Sequence, residues 1–240
     1  MPHRPTKNMK TNKSSLGLLT TLSGVIALIS YVLVAVAVNY NFDVFADPTL
    51  ILTLPEVNLL ALKWSMITDV LGYYLLLLPA IFFLQNWMED KTQWAKALTF
   101  CGTSYVLVGS IGAAILGVAW PLLIEEFQAT NAPETRESIQ LSFQLISELV
   151  YGGLWNLLGM LVGGIWWLGI GILLQRDYKV LGWAIILLGF CSLLDSVGGM
   201  LELKALSDIG LNIYLLLAPI CAICLGIMIR KAATSDSLYL

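Results

Sequence analysis

The sequence predicts an all-α polytopic membrane protein: six transmembrane helices in one bundle, both termini cytoplasmic, and outer loops longer than inner loops. Three observations predict it. The 240-residue chain is 58% hydrophobic and only 12% charged, with a mean hydropathy of +0.81, whereas soluble domains carry about 25% charged residues. Six apolar stretches reach the roughly 20 residues that a helix needs to cross a hydrocarbon core of about 30 Å. Lys and Arg then fall unevenly between the two sides. Arg4, Lys7, Lys10, Lys13, Lys91, Lys96, Arg176, Lys179, Arg230 and Lys231 share one side, against Lys63, Arg136 and Lys204 on the other. By the positive-inside rule the first side is cytoplasmic.

The expected spans are Leu16–Val38, Trp64–Leu84, Ala97–Leu123, Tyr151–Leu174, Val180–Met200 and Leu211–Ile229. They form one transmembrane domain over 16–230, between a basic cytoplasmic tail at 1–15 and a second tail at 231–240. Each span must be helical, because backbone groups in lipid need internal partners. The first exceeds a signal-peptide apolar region of about 7–15 residues and has no A-x-A site after it, so it reads as a retained span. The loop after it, Asn39–Lys63, holds Pro48 and Pro55 around "TLILTL", which suggests a short interfacial or re-entrant piece. The second span carries Asp69 on a face with Ser65, Gly72, Tyr73 and Leu76. The third aligns Gly109, Ala113 and Gly117, a small-residue seam for close helix packing.

The loop Ile124–Val150 begins polar and turns amphipathic, with Ile139, Phe143, Ile146 and Val150 at helical spacing. A helix starting near Ala132–Pro133 is expected, either lying on the membrane or running into the fourth span; Pro133 suits a first turn. The fourth span sets Gly152, Gly153, Asn156, Gly159 and Gly163 below Glu148. The fifth places Asp195 on a face with Cys191, Ser192, Gly198, Gly199 and Glu202. The sixth has Asn212 near its outer end and Pro219, which should kink it.

The candidate site follows from the charges inside the spans. A carboxylate at membrane depth is costly and faces protein or water. Asp69 lies roughly 9 Å along the helix from Lys63, and Asp195 roughly 10 Å from Glu202. The two spans run in opposite directions, so the carboxylates reach similar depth in the outer half. Asp69, Asp195, Tyr73, Asn156, Ser192, Glu148 and Glu202 are therefore the ligand- or ion-binding candidates. They suggest an acidic pocket opening outward between spans two, four and five. Two close carboxylates would favour a shared proton or a bound cation. The competing reading is helix-packing glue, at about 0.6–2 kcal/mol per interhelical bond.

Other chemistries find no footing. The one histidine, His3, lies in the polar tail, so haem or zinc sites built on histidine are not expected in the bundle. Cys101, Cys191, Cys221 and Cys224 sit in apolar runs and read as small core residues, with a redox or soft-metal pair at the C-x-x-C of 221 and 224 the alternative. No phosphate-binding loop, H-E-x-x-H or serine elbow is present, so no catalytic residue, metal or cofactor is expected. No basic stripe with aromatics suggests nucleic acid. Trp64, Trp87, Trp94, Trp120, Trp166 and Trp167 read as interfacial belt residues, and Trp155 and Trp183 as lipid-facing.

The stretches "WWLGIGILLQRDYKVLGWAIILLGFCSLLDSVGGM" and "TDVLGYYLLLLPAIFFLQNWMEDKTQWAKALTFCGTSYVLVGSIGAAI" resemble a family of six-span bacterial and archaeal membrane proteins. That family is catalogued only as a domain of unknown function, and the resemblance covers residues 16–230. It implies a helical membrane fold and a prokaryotic cytoplasmic (inner) membrane, but no activity and no functional residue.

Three functions are expected in order. The first is a non-enzymatic protein binding a small ligand, lipid or cation in the outward pocket, transporter-like or sensory. The second is a structural accessory subunit of a larger complex. The third is a membrane enzyme using Asp69 and Asp195 on a lipidic substrate. The expected partners are membrane lipid, and a protein or second copy of the chain through the small-residue helix faces.

Overall fold

A computed structural model describes residues 7–41, 44 and 47–234. The described residues are helical or in turns, with no strand, and six helices are long and apolar enough to cross a membrane. The chain is an integral, multi-pass membrane protein. The first span is α1 (Lys7–Ala37). The second is broken: α2 (Leu59–Asp69), a π-helical turn at Val70–Tyr74, a 3-10 turn at Leu75–Leu77, and α3 (Leu78–Glu89). The third is α4 (Ala95–Ala129). The fourth joins α5 (Pro133–Glu148), a π-helical stretch (Leu149–Gly159) and α6 (Met160–Leu174). The fifth is α7 (Lys179–Met200) and the sixth α8 (Lys204–Thr234).

The spans close into a ring in chain order. α1 packs on α2, α2 on α4, α4 on α6, α6 on α7, α7 on α8, and α8 returns to α1. Six antiparallel crossings leave both helical ends of the chain on one face, called here the terminal face; the far face carries the long α1–α2 connection, 38–58, but its other two turns, 130–132 and 201–203, are short, because α5 is part of the fourth span and α8 begins at Lys204. Glycines set the closest approaches. A Cβ on Gly24 would lie 2.4 Å from the Pro219 carbonyl oxygen, and one on Gly72 would lie 2.4 Å from the Ala27 nitrogen. These contacts are what small-residue seams provide in lipid, where dispersion and not water expulsion drives helix association.

Two apolar cores fill the ring. The terminal-face core gathers Tyr73, Tyr74, Tyr105, Trp166, Trp167 and Tyr214 with aliphatic neighbours. The far-face core is built on Trp120, Phe143, Ile124 and Leu116, with Ile51 and Leu52 from the 3-10 turn Pro48–Thr53 tucked beneath. That turn is the "TLILTL" segment, capped by Asp47, whose Oδ1 accepts from the Thr49 amide at 3.0 Å. α5 begins at Pro133 and runs straight into the fourth span. Its Phe143 ring stacks on Trp120 at 5.4 Å, and Trp120 Nε1 donates to Ser147 Oγ at 3.0 Å.

The tryptophans divide against the belt expectation. Trp64, Trp94 and Trp183 are exposed, but Trp87, Trp120, Trp166 and Trp167 are buried. The reason is local: Trp166 fills the notch that Gly102 leaves on α4, and Trp120 finds a hydroxyl partner within the bundle. Trp155 is half-buried and not lipid-facing, with Nε1 donating to the Gly109 carbonyl at 3.1 Å.

The broken spans leave carbonyls without their regular helical partners, and hydroxyls from neighbouring spans meet them. Pro79 and Pro219 each lack the N–H that a helix would donate four residues back. The carbonyl freed by Pro219 is that of Leu215, and Tyr73 Oη donates to it at 2.9 Å. Around the break in span two, Ser23 Oγ donates to the Gly72 carbonyl and Tyr105 Oη to that of Tyr73 at 3.4 Å. Along span four, Ser196 Oγ donates to the Leu157 carbonyl at 2.9 Å and Ser192 Oγ to that of Met160 at 2.7 Å. Irregular backbone at membrane depth is tolerated where protein supplies such partners. On the terminal face, Lys91 Nζ pairs with Asp177 Oδ2 at 2.6 Å and lies over the Trp87 ring, tying the two short loops together.

Candidate functional site

The face of α7 that carries Asp195 splits between two neighbours. Ser192 and Ser196 turn to the fourth span and are used up on its carbonyls. Asp195 turns to α8. A Cβ on Gly210 would lie 2.7 Å from both the Asp195 nitrogen and the Cys191 carbonyl, and one on Gly198 would lie 2.6 Å from the Ser207 nitrogen. The two helices therefore meet backbone to backbone on either side of Asp195. That approach lets Ser207 Oγ donate to Asp195 Oδ1. Asp195 is fully buried, and its Oδ2 has no hydrogen-bond partner. Asp208 is close enough to add a second negative charge to the surroundings.

Above this pair lies an open groove of about 340 Å³, lined by Gly198, Gly199, Glu202, Lys204 and Ser207. Its shape comes from how α7 ends. Leu203 N donates to the Gly198 carbonyl at 2.8 Å and Glu202 N to that of Gly199 at 3.2 Å. This is the Schellman pattern, which calls for a left-handed residue at the position of Glu202. Glu202 has φ 57. Glycine fills that position in most such caps; here a carboxylate does, set on the rim of the groove.

Asp69 is placed elsewhere. It is half-buried beside Ser30 of α1. The next turn of the span carries Tyr73 and Tyr74, both buried in the terminal-face core. Tyr214 Oη donates to Tyr105 Oη at 2.7 Å, and the spans that carry Asp69 and Asp195 are not packing neighbours. The ring explains this. Spans two and five stand on different sides of the bundle. A cavity of about 10 Å³ beside Tyr73, Tyr105 and Trp167 has room for about one water.

Comparison of the chain with family models, with curated proteins and with solved structures found no match. The site must be read from its own geometry.

Of the residues singled out from the sequence, Glu202 lines the groove and Asp195 is buried behind Ser207, between spans five and six and not among spans two, four and five. Tyr73 and Ser192 are occupied with helix carbonyls. Glu148 is exposed on the fourth span beside Gly152, and Asn156 is half-buried. Lys204, Ser207 and Gly210 were missed because the sixth span was expected to start at Leu211, whereas α8 starts at Lys204. Their signal was helical spacing: Lys204 and Ser207 lie three apart, with Asn212 and Asp208 continuing the polar run. Among the described residues no three of His, Cys, Asp or Glu gather in a metal-binding group. The groove instead offers one free carboxylate (Glu202), one ammonium (Lys204) and one hydroxyl (Ser207). Ser207 spends its proton on Asp195, so its lone pairs are left to accept.

Proposed function

We propose that this membrane protein binds, without chemical conversion, a small ligand carrying a positively charged group in the groove between α7 and α8, as a transporter-like or sensory component of a prokaryotic cytoplasmic membrane. The far face is taken as extracytoplasmic, because ten of the thirteen Lys and Arg lie toward the other side. The observation that carries the reading is the buried Asp195 with one oxygen on Ser207 and the other unpartnered. A buried carboxylate without a full set of donors is costly. It polarises the Ser207 hydroxyl toward the groove, and Glu202 adds a second acceptor where an ammonium would enter.

The test is thermal stability of the purified full-length protein with ethanolamine hydrochloride, against sodium chloride at equal ionic strength. Binding to the folded state alone stabilises it by about 2.7 kcal/mol at a hundredfold excess over Kd. The wild type should melt several degrees higher in ethanolamine, and Asp195→Asn should remove that increment. An increment that is absent in the wild type, or unchanged in Asp195→Asn, would overturn the reading.

One observation favours the accessory-subunit alternative. On the otherwise polar α5, Leu141 and Leu145 stand exposed one turn apart. Co-purification of a partner at fixed stoichiometry, lost in a Leu141→Gln, Leu145→Gln double variant, would support it.

A further inference from the structure

We propose that the ligand of this groove is the zwitterionic headgroup of a phospholipid, entering sideways from the far-face leaflet. The proposal rests on the groove being a binding site and names what it binds.

Depth is the first argument. Ser196 bonds to Leu157, and Ser147 bonds to Trp120. From Ser196 the end of α7 at Met200 is only four residues on, about 6 Å. From Leu157 the chain climbs ten residues to Ser147, mostly through the π-helical stretch, whose rise is smaller than the α-helical one, so under about 15 Å but more than the four-residue climb. The α7–α8 turn therefore sits below the level of Trp120. At that level α4 still presents apolar Val118 and Leu122 outward. The charged groove thus lies below the level at which Glu148, next to Ser147, is exposed, instead of standing above it.

Its surroundings are the second argument. Val197, Met200, Leu201 and Leu203 are all exposed along the same turn, so an opening lined by Glu202 and Lys204 is ringed by large apolar side chains. Gly199 faces open space and leaves the mouth unobstructed. Charges of both signs inside an apolar rim match one chemistry: an ammonium on Glu202 and Ser207, a phosphate on Lys204, and acyl chains along the rim.

The backbone is the third argument. A non-glycine residue held at φ 57 is strained, and such outliers gather at ligand sites. Here the strained residue is the one that supplies the carboxylate.

The test compares lipids retained by the full-length protein in native mass spectrometry, offered phosphatidylethanolamine or phosphatidylglycerol at equal amounts. The wild type should retain phosphatidylethanolamine about tenfold over phosphatidylglycerol, a difference of about 1.4 kcal/mol. Glu202→Lys should abolish the preference, and Lys204→Glu, which removes the phosphate contact that both lipids share, should lower retention of both. Gly199→Leu, which fills the mouth without changing charge, should lower retention of both lipids. Water-soluble glycerophosphoethanolamine should not displace the bound lipid at matched concentration. Equal retention of the two lipids by the wild type overturns the proposal without any variant having to fold. A preference that survives Glu202→Lys overturns it too, as does displacement by the soluble headgroup, which would mark a free solute as the ligand. An ethanolamine increment that depends on Asp195, seen without any lipid preference, would leave the binding function standing and remove only the lipid.

Discussion

Glu202 concentrates the chemistry of the site in one residue. A left-handed backbone costs a non-glycine residue about 1–2 kcal/mol, and a helix cap with the hydrogen bonds seen here takes glycine readily. A residue kept only for stability would be glycine. Glu202→Gly is therefore expected to raise the unfolding free energy by about 1 kcal/mol, read as a higher melting temperature in detergent, and at the same time to lose the ethanolamine increment. A lower melting temperature, or an increment that persists, would show that Glu202 serves the turn and not a ligand. Ser207 belongs to the same argument, since its hydroxyl joins the buried Asp195 to the groove. What the sequence showed at this scale was the anomaly of Asp195 inside an apolar run. It did not show Ser207, which looked like part of a loop until α8 was seen to begin at Lys204.

At the scale of the element, the spans are held by hydroxyls on freed carbonyls. Tyr73 and Pro219 make this testable as a pair. Tyr73→Phe removes the donor to the Leu215 carbonyl and should cost about 1 kcal/mol, in the range of interhelical bonds in membranes. Pro219→Ala restores a backbone N–H to that same carbonyl. In the Pro219→Ala background the Tyr73→Phe change should cost close to nothing, so the double-mutant cycle should show a coupling of about 1 kcal/mol. Additive effects would mean that the two residues do not share the carbonyl. Much of this level was legible. Apolar length gave six spans, and the spacing of Ile139, Phe143 and Ile146 with Pro133 at the first turn gave α5. The break at Tyr74 and the π-helical stretch Leu149–Gly159 were not legible, because a change of helical step depends on partners from other spans. Tryptophan near a span end reads as a belt residue, yet Trp166 is buried because Gly102, on another helix, leaves it room.

For the molecule as a whole, the number of spans could be read from the sequence and their order around the ring could not. Counting from the span ends puts Asp69 and Asp195 at similar depth. Which side of a ring each occupies depends on the order of the spans around it, and six apolar helices carry no mark of that order. The ring separates the two carboxylates, leaves Asp69 among tyrosines and gives Asp195 to the far face. Everything proposed for the groove then depends on which side of the membrane that face meets. The charge asymmetry assigns it outward, and the prediction is direct. The α4–α5 turn holds exposed Asn131, and the short loop before α4 holds exposed Gln93. In intact cells, Asn131→Cys should react with a membrane-impermeant maleimide and Gln93→Cys should react only after permeabilisation. The native cysteines lie within spans, so they should contribute little background. Labelling of Gln93→Cys alone in intact cells would invert the molecule. The groove would then open toward the cytoplasmic leaflet, and its ligand would have to be sought there.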